Sequence, residues 1–143
     1  MRIKIGCFLL LMSCFFTQAQ QITGKWKVID EDSGKAKCII NISQTDDSLT
    51  GKITKLLKKN APDDARCVKC EGKLKDEPLI GLPILRGFTK EDGKWVDGLI
   101  TDPEKGKTYE SKIWVDKNNP DLLKVRGYVS VFYRTQTWER VKE

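Results

Sequence analysis

The chain has 143 residues, with 26 Lys and Arg against 20 Asp and Glu, a formal charge of +6, five cysteines and no histidine. Lacking imidazole, it has no serine or cysteine triad of the usual kind and no access to the commonest metal ligand. Its lysines are spread over every segment and form no basic stripe, so nucleic acid is not an expected partner.

The first stretch reads as a secretory signal. Arg2 and Lys4 give a positive start, Ile5 to Phe16 is an apolar run too short for a stable membrane anchor, and Thr17-Gln18-Ala19 offers small residues for cleavage. We place residues 1–19 in the signal and 20–143 in a single exported domain, periplasmic or secreted. A competing reading lipidates Cys14. Loss of Arg2 and Lys4 lowers the formal charge from +6 to +4. No later segment has the length and apolarity to span a membrane as a helix.

Gly24 to Ile29 opens the domain as a strand with Trp26 and Val28 on one face. After the Asp32-Ser33-Gly34 turn, Ala36, Cys38, Ile40 and Ile42 alternate with Lys37, Ile39, Asn41 and Ser43, which predicts a half-buried strand. Leu49, Gly51, Ile53 and Leu57 repeat that pattern beyond Thr45-Asp46-Asp47-Ser48. A short helical turn is expected near Lys55 to Lys59.

From Lys59 to Gly81 periodicity disappears. An irregular segment this long in a small domain is more often a lid or binding loop than an idle connection. Leu82 to Phe88 predicts a fourth strand, with Pro83 suited to an edge or a bulge. Trp95 to Ile100, the Asp102-Pro103-Glu104-Lys105-Gly106 turn and the Tyr109 to Val115 alternation form a hairpin. Leu123, Val125, Gly127 and Val129 alternate with Lys124, Arg126 and Tyr128, and Thr135 to Val141 completes the series. Between these last two strands, Ser130 to Tyr133 must hold the reversal, although no turn signal marks it. The fold class is all-β, an eight-stranded antiparallel up-and-down barrel that closes on itself and so has no exposed edge; a flattened sandwich is the alternative.

Gly24-Lys25-Trp26, Cys67-Val68-Lys69-Cys70, Gly98 to Tyr109, Leu123 to Tyr128 and Arg134-Thr135-Gln136-Thr137-Trp138 together resemble domain-of-unknown-function family 2147, a set of exported bacterial proteins. Gly-x-Trp at the start of the first strand also recurs in lipocalin-like barrels. The resemblance spans essentially the whole exported chain and implies a small lipocalin-like barrel with a ligand cavity, without assigning an activity. Similarity to such barrels further suggests that Arg134 or Arg140 packs over Trp26, a cation–π contact that would close one end.

Cys67 and Cys70 lie in the loop with no helical pattern after them, so export makes a structural disulfide the default over a redox pair or half a metal site. Cys38, among Ala36, Ile40 and Ile42, reads as a buried small hydrophobe. Trp26, Ile40, Ile53, Trp95, Tyr109, Ile113, Val125, Arg126 and Tyr128 are the candidate ligand-binding residues, against the plainer reading that they fill the core. Asp97, Asp102, Glu104 and Glu110 gather near the hairpin but have no nucleophile or base beside them, so no enzyme is expected. No cofactor is expected, and the oligomeric state is left open. The first functional reading is an exported carrier of a small apolar or amphipathic molecule, with the Lys59 to Gly81 loop as its lid. The alternative is a cell-envelope interaction module with a packed core and no small ligand.

Overall fold

The structure is a computed structural model and describes residues 21–142. The signal assigned to residues 1–19, with Cys14, lies outside the described residues.

Eight strands follow in chain order: β1 (Gly24–Ile29), β2 (Ala36–Thr45), β3 (Ser48–Leu56), β4 (Pro83–Glu91), β5 (Lys94–Asp102), β6 (Lys107–Val115), β7 (Leu122–Val129) and β8 (Phe132–Arg140). Each pairs antiparallel with its neighbour, and β1 meets β8 through Trp26 opposite Arg140 and Lys27 opposite Glu139, so the sheet closes into a barrel. The expectation of an eight-stranded antiparallel up-and-down barrel is met. The helical turn expected near Lys55 to Lys59 does not form. There β3 continues to Leu56, and the Leu57 amide still donates to the Lys37 carbonyl at 2.9 Å, so cross-strand pairing wins over local helix propensity. Among the described residues, no helix is long and apolar enough to cross a membrane.

Period-two alternation decides what faces inward. On β7 and β8 the opposed pairs Leu123/Trp138, Val125/Gln136, Gly127/Arg134 and Val129/Phe132 share the inner face. On β5 the register shifts between Trp95 and Gly98, with Asp97 at φ 55°, and the bulge lets residues three apart point the same way. Gly98 is required there. A Cβ at this position would lie 2.3 Å from the Phe88 ring. Pro83 begins β4 opposite Lys52, where the register also shifts, so its missing N–H interrupts no regular ladder. The last reversal, unmarked in sequence, is a two-residue turn at Ser130 and Val131 with Ser130 at φ 56°.

One end of the barrel is packed solid. Trp26, Ile40, Ile42, Leu49, Phe88, Trp95, Ile113, Leu123 and Trp138 are buried there, each contributing roughly 1.5–3 kcal/mol of transfer free energy. Arg140, not Arg134, packs over Trp26, 4.2 Å from its ring centroid, and donates to the carbonyls of Pro120 and Gln21. The Trp26 indole N–H donates to the Ile22 carbonyl at 2.8 Å. This end is therefore shut by charge, ring and the segment leading into β1 together.

Candidate functional site: a lidded cavity at the other end

Four connections converge on the opposite end: the β1–β2 turn, the long segment joining β3 to β4, the β5–β6 turn and the β7–β8 tip. Beneath them lies a cavity of about 540 Å³. Its deep wall is apolar, made by Val28, Ile53, Leu56, Ile84, Ile100, Val125 and Trp138. Tyr109 and Gln136 add polar atoms to that wall, and the Gln136 side-chain oxygen accepts from the Trp138 indole N–H at 3.0 Å. At Gly127 the wall carries no side chain, and a Cβ there would meet only Ile100 and Tyr109, both at 3.9 Å. Val68 on the long segment and Val129 and Arg134 on the β7–β8 hairpin border the cavity and are exposed to solvent.

The β3–β4 segment covers the cavity as a folded lid. Its second arm zips onto β3, with the Gly81 amide donating to the Ile53 carbonyl at 2.7 Å and the Ile53 amide to the Leu82 carbonyl at 3.1 Å. Its two arms pair with each other through Cys67 N–H to Glu77 C=O and Leu79 N–H to Ala65 C=O, both at 2.8 Å. Cys67 and Cys70 are joined in the expected disulfide and are buried, and only one short 3-10 turn, Gly72–Leu74, follows. The lid tip presses on the β5–β6 turn: Gly106, at φ 69°, leaves so little room that a Cβ would stand 1.8 Å from the Lys69 carbonyl oxygen. Only glycine satisfies both the backbone angle and that approach.

A charged cluster ties the same elements. Glu104 accepts from Lys58 at the root of the lid and lies 3.5 Å from Lys37, which in turn lies 3.3 Å from Asp30. The hydrogen bond from Lys58 holds the Glu104 carboxyl below the usual carboxylate range, helped by the Lys37 charge and opposed by partial burial. Asp30 is pulled down to about 2, first by the Ser33 backbone N–H, then by the Ser33 hydroxyl and Lys37. Burial alone would lower the Lys37 pKa, but Glu104 and Asp30 outweigh it and raise the ammonium. Cys38 is free, packs half-buried against the core and borders the cavity, and burial pushes its thiol up to about 11.

Of the nine residues expected at the ligand site, Ile53, Tyr109 and Val125 line the cavity. The expectation that all nine share one pocket is corrected. Trp26, Ile40, Trp95 and Ile113 belong to the packed end, where side chains from opposite walls meet and leave no space. Arg126 and Tyr128 are on the outer face: Arg126 stacks between Trp114 and Tyr133, at 5.0 and 4.1 Å from their ring centroids, and Tyr128 packs near Tyr133. The alternation of β7 already assigns them outside, opposite in phase to Val125. Val28, Cys38, Leu56, Gly127 and Gln136 were missed, although the same alternation marks most of them. The lid contacts at Lys58, Lys69 and Glu104 had no local signal.

The chain matches the family model described as "Uncharacterized protein conserved in bacteria (DUF2147)" over residues 24–140. It belongs to that family. No curated protein matches it. Among solved structures, protein HP1028 from Helicobacter pylori, described as belonging to the lipocalin family, superposes on this DUF2147 chain with a TM-score of 0.71, covering 86% of this chain and 84% of that one at 14% identity. At that identity the likeness establishes the fold, a lipocalin-like barrel.

Proposed function

We propose that this DUF2147 protein is an exported carrier that holds a small apolar or amphipathic molecule in the barrel, with the β3–β4 lid over it. The carrying observation is the cavity of about 540 Å³, lined mainly by apolar side chains with a few polar atoms, the usual make-up and size of a small-molecule site. Binding, not catalysis, fits this lining, because the deep wall contains no nucleophile paired with a base. Export is supported by the positive, then apolar, N-terminal stretch and by the disulfide.

Native mass spectrometry of protein purified from its own host, and titration with an environment-sensitive apolar dye, test this reading. Gly127→Leu supplies the control, since a side chain at that position grows into the cavity from a strand with ordinary backbone angles. The reading expects a co-purifying small molecule or dye binding in the wild type, lost in Gly127→Leu with the fold intact. Failure of both probes to bind removes it.

A second reading, an envelope interaction module, draws on one specific feature. Val131 and Phe132 at the β7–β8 tip are 84% and 75% exposed, with Val129 and Tyr133 beside them. Envelope pull-downs comparing wild type with Phe132→Ser separate this reading from the first.

A further inference from the structure

The mouth of the cavity is unevenly charged. Six cationic side chains, Lys37, Lys58, Arg66, Lys69, Lys105 and Arg134, line it against two acidic ones, Asp102 and Glu104. Most of these are already engaged. Lys37 and Lys58 hold Glu104, Arg134 pairs with Glu31 at 2.6 Å, and Arg66 donates to the Asp76 carbonyl at 3.0 Å. Asp102 accepts from the backbone N–H groups of Glu104 and Lys105 at 2.9 and 3.4 Å. Among the described residues, the Lys69 and Lys105 ammonium groups have no hydrogen-bond or ion-pair partner.

These two lysines are held as neighbours by backbone, not by chance of side-chain reach. Lys69 belongs to the disulfide-closed lid tip, Lys105 precedes Gly106, and Gly106 touches the Lys69 carbonyl. Two like charges rooted on adjoining backbone repel where they approach, and an anion placed between them removes that cost and adds two attractions. The cavity they border has an aliphatic wall in Ile53, Leu56, Ile84 and Ile100.

Resting on the carrier reading, we propose that the cavity takes a single-chain amphipathic anion, with its hydrocarbon tail in the aliphatic depth and its acidic head at the mouth between Lys69 and Lys105. Carboxylate and phosphate heads share the chemistry these ammonium groups recognise.

The test titrates delipidated protein with four ligands of one tail length: dodecanoate, dodecyl phosphate, dodecanol and dodecyltrimethylammonium. The proteins are wild type, Lys69→Gln/Lys105→Gln and Gly127→Leu, each checked for unchanged circular dichroism. The wild type is expected to bind the anions about tenfold more tightly than dodecanol, the order set by two solvent-exposed ion pairs. It is expected to bind the cationic amphiphile most weakly. The double lysine variant should bring the anions down to dodecanol while leaving dodecanol unchanged, and high salt should do the same to the wild type. Comparison of dodecanoate with dodecyl phosphate identifies which head is preferred. Equal binding of dodecanol and the anions by wild type would overturn the head-group inference and leave the carrier reading standing, as would a lysine variant that weakens all ligands alike. Binding that survives in Gly127→Leu places the ligand outside the cavity and overturns it too. If none of the four ligands binds, the single-chain amphiphile is overturned, and the dye titration and native mass spectrometry decide the carrier reading separately.

Discussion

Gly106→Ala should detach the lid while sparing the barrel. Two costs coincide at this position. Its φ of 69° is a left-handed conformation that costs an L-residue about 1–2 kcal/mol. The added methyl would also stand 1.8 Å from the Lys69 carbonyl oxygen and 2.2 Å from its carbon, and backbone atoms cannot swing away as a side chain can. Overpacking of that kind adds roughly 1–3 kcal/mol, so either stability falls by about 2–5 kcal/mol or the lid tip moves off the β5–β6 turn to escape it. Gly93→Ala separates the two effects. Gly93 has φ 76° in the β4–β5 turn at the far end, with nothing within 4 Å of its Cβ position, so it carries the strain alone. Urea unfolding followed by tryptophan fluorescence gives the stabilities, and limited trypsin cleavage after Arg66, Lys69, Lys73 or Lys75 reports lid docking. Gly93→Ala should lose about 1–2 kcal/mol without new cleavage, whereas Gly106→Ala should open the lid to trypsin. A Gly106→Ala protein as stable and as resistant as Gly93→Ala would refute the docked lid.

Cys38, with its thiol near 11 against an ordinary 9.0, should react with a neutral maleimide at pH 8 about a hundredfold more slowly than a free thiol. Its rate should rise steeply only above about pH 10, and a bound ligand should slow it further; fast labelling at pH 8 would refute the burial. Serine at both Cys67 and Cys70 should cost about 2 kcal/mol and loosen the lid to trypsin while near-ultraviolet circular dichroism of the barrel tryptophans persists. Thiol counting on the wild type should find one reactive group after denaturation, and a count of three would mean that the pair is reduced. Glu104 carries a folded-state pKa below its ordinary 4.5, so its contacts with Lys58 and Lys37 stabilise above that value and fade as pH falls through the lowered one. Because the carboxylate is partly exposed, the wild type should exceed Glu104→Gln by no more than about 1 kcal/mol near neutrality, and the two should converge in acid. A gap that persists at pH 2 would assign the effect to packing instead of charge.

The barrel was legible because its strands are half-buried, and a half-buried strand writes its inner face into the sequence every second residue. Ala36 to Ser43 and Leu123 to Val129 fix both strand and facing on their own. The positions of the disulfide and the lid were also readable, from the two-residue spacing of Cys67 and Cys70 and from the lost periodicity after Leu57. Chain composition and the N-terminal stretch set the expected class and compartment without any coordinates.

What alternation cannot encode is depth along the barrel axis. Ile42 and Cys38 read alike as inward positions of one strand, yet one is core and the other cavity wall, because only the position of Trp26, Trp138 and Phe88 across the barrel fills one end and leaves the other empty. The cation–π partner of Trp26 was likewise settled by closure, which sets Arg140 opposite Trp26 and leaves Arg134 at the far rim. The lid's anchoring on Gly106 and Glu104 joins segments about 40 residues apart through a backbone contact and an ion pair, neither of which has a periodic signature. Sequence determined which residues face inward; tertiary closure decided which of them touch one another and which face empty space.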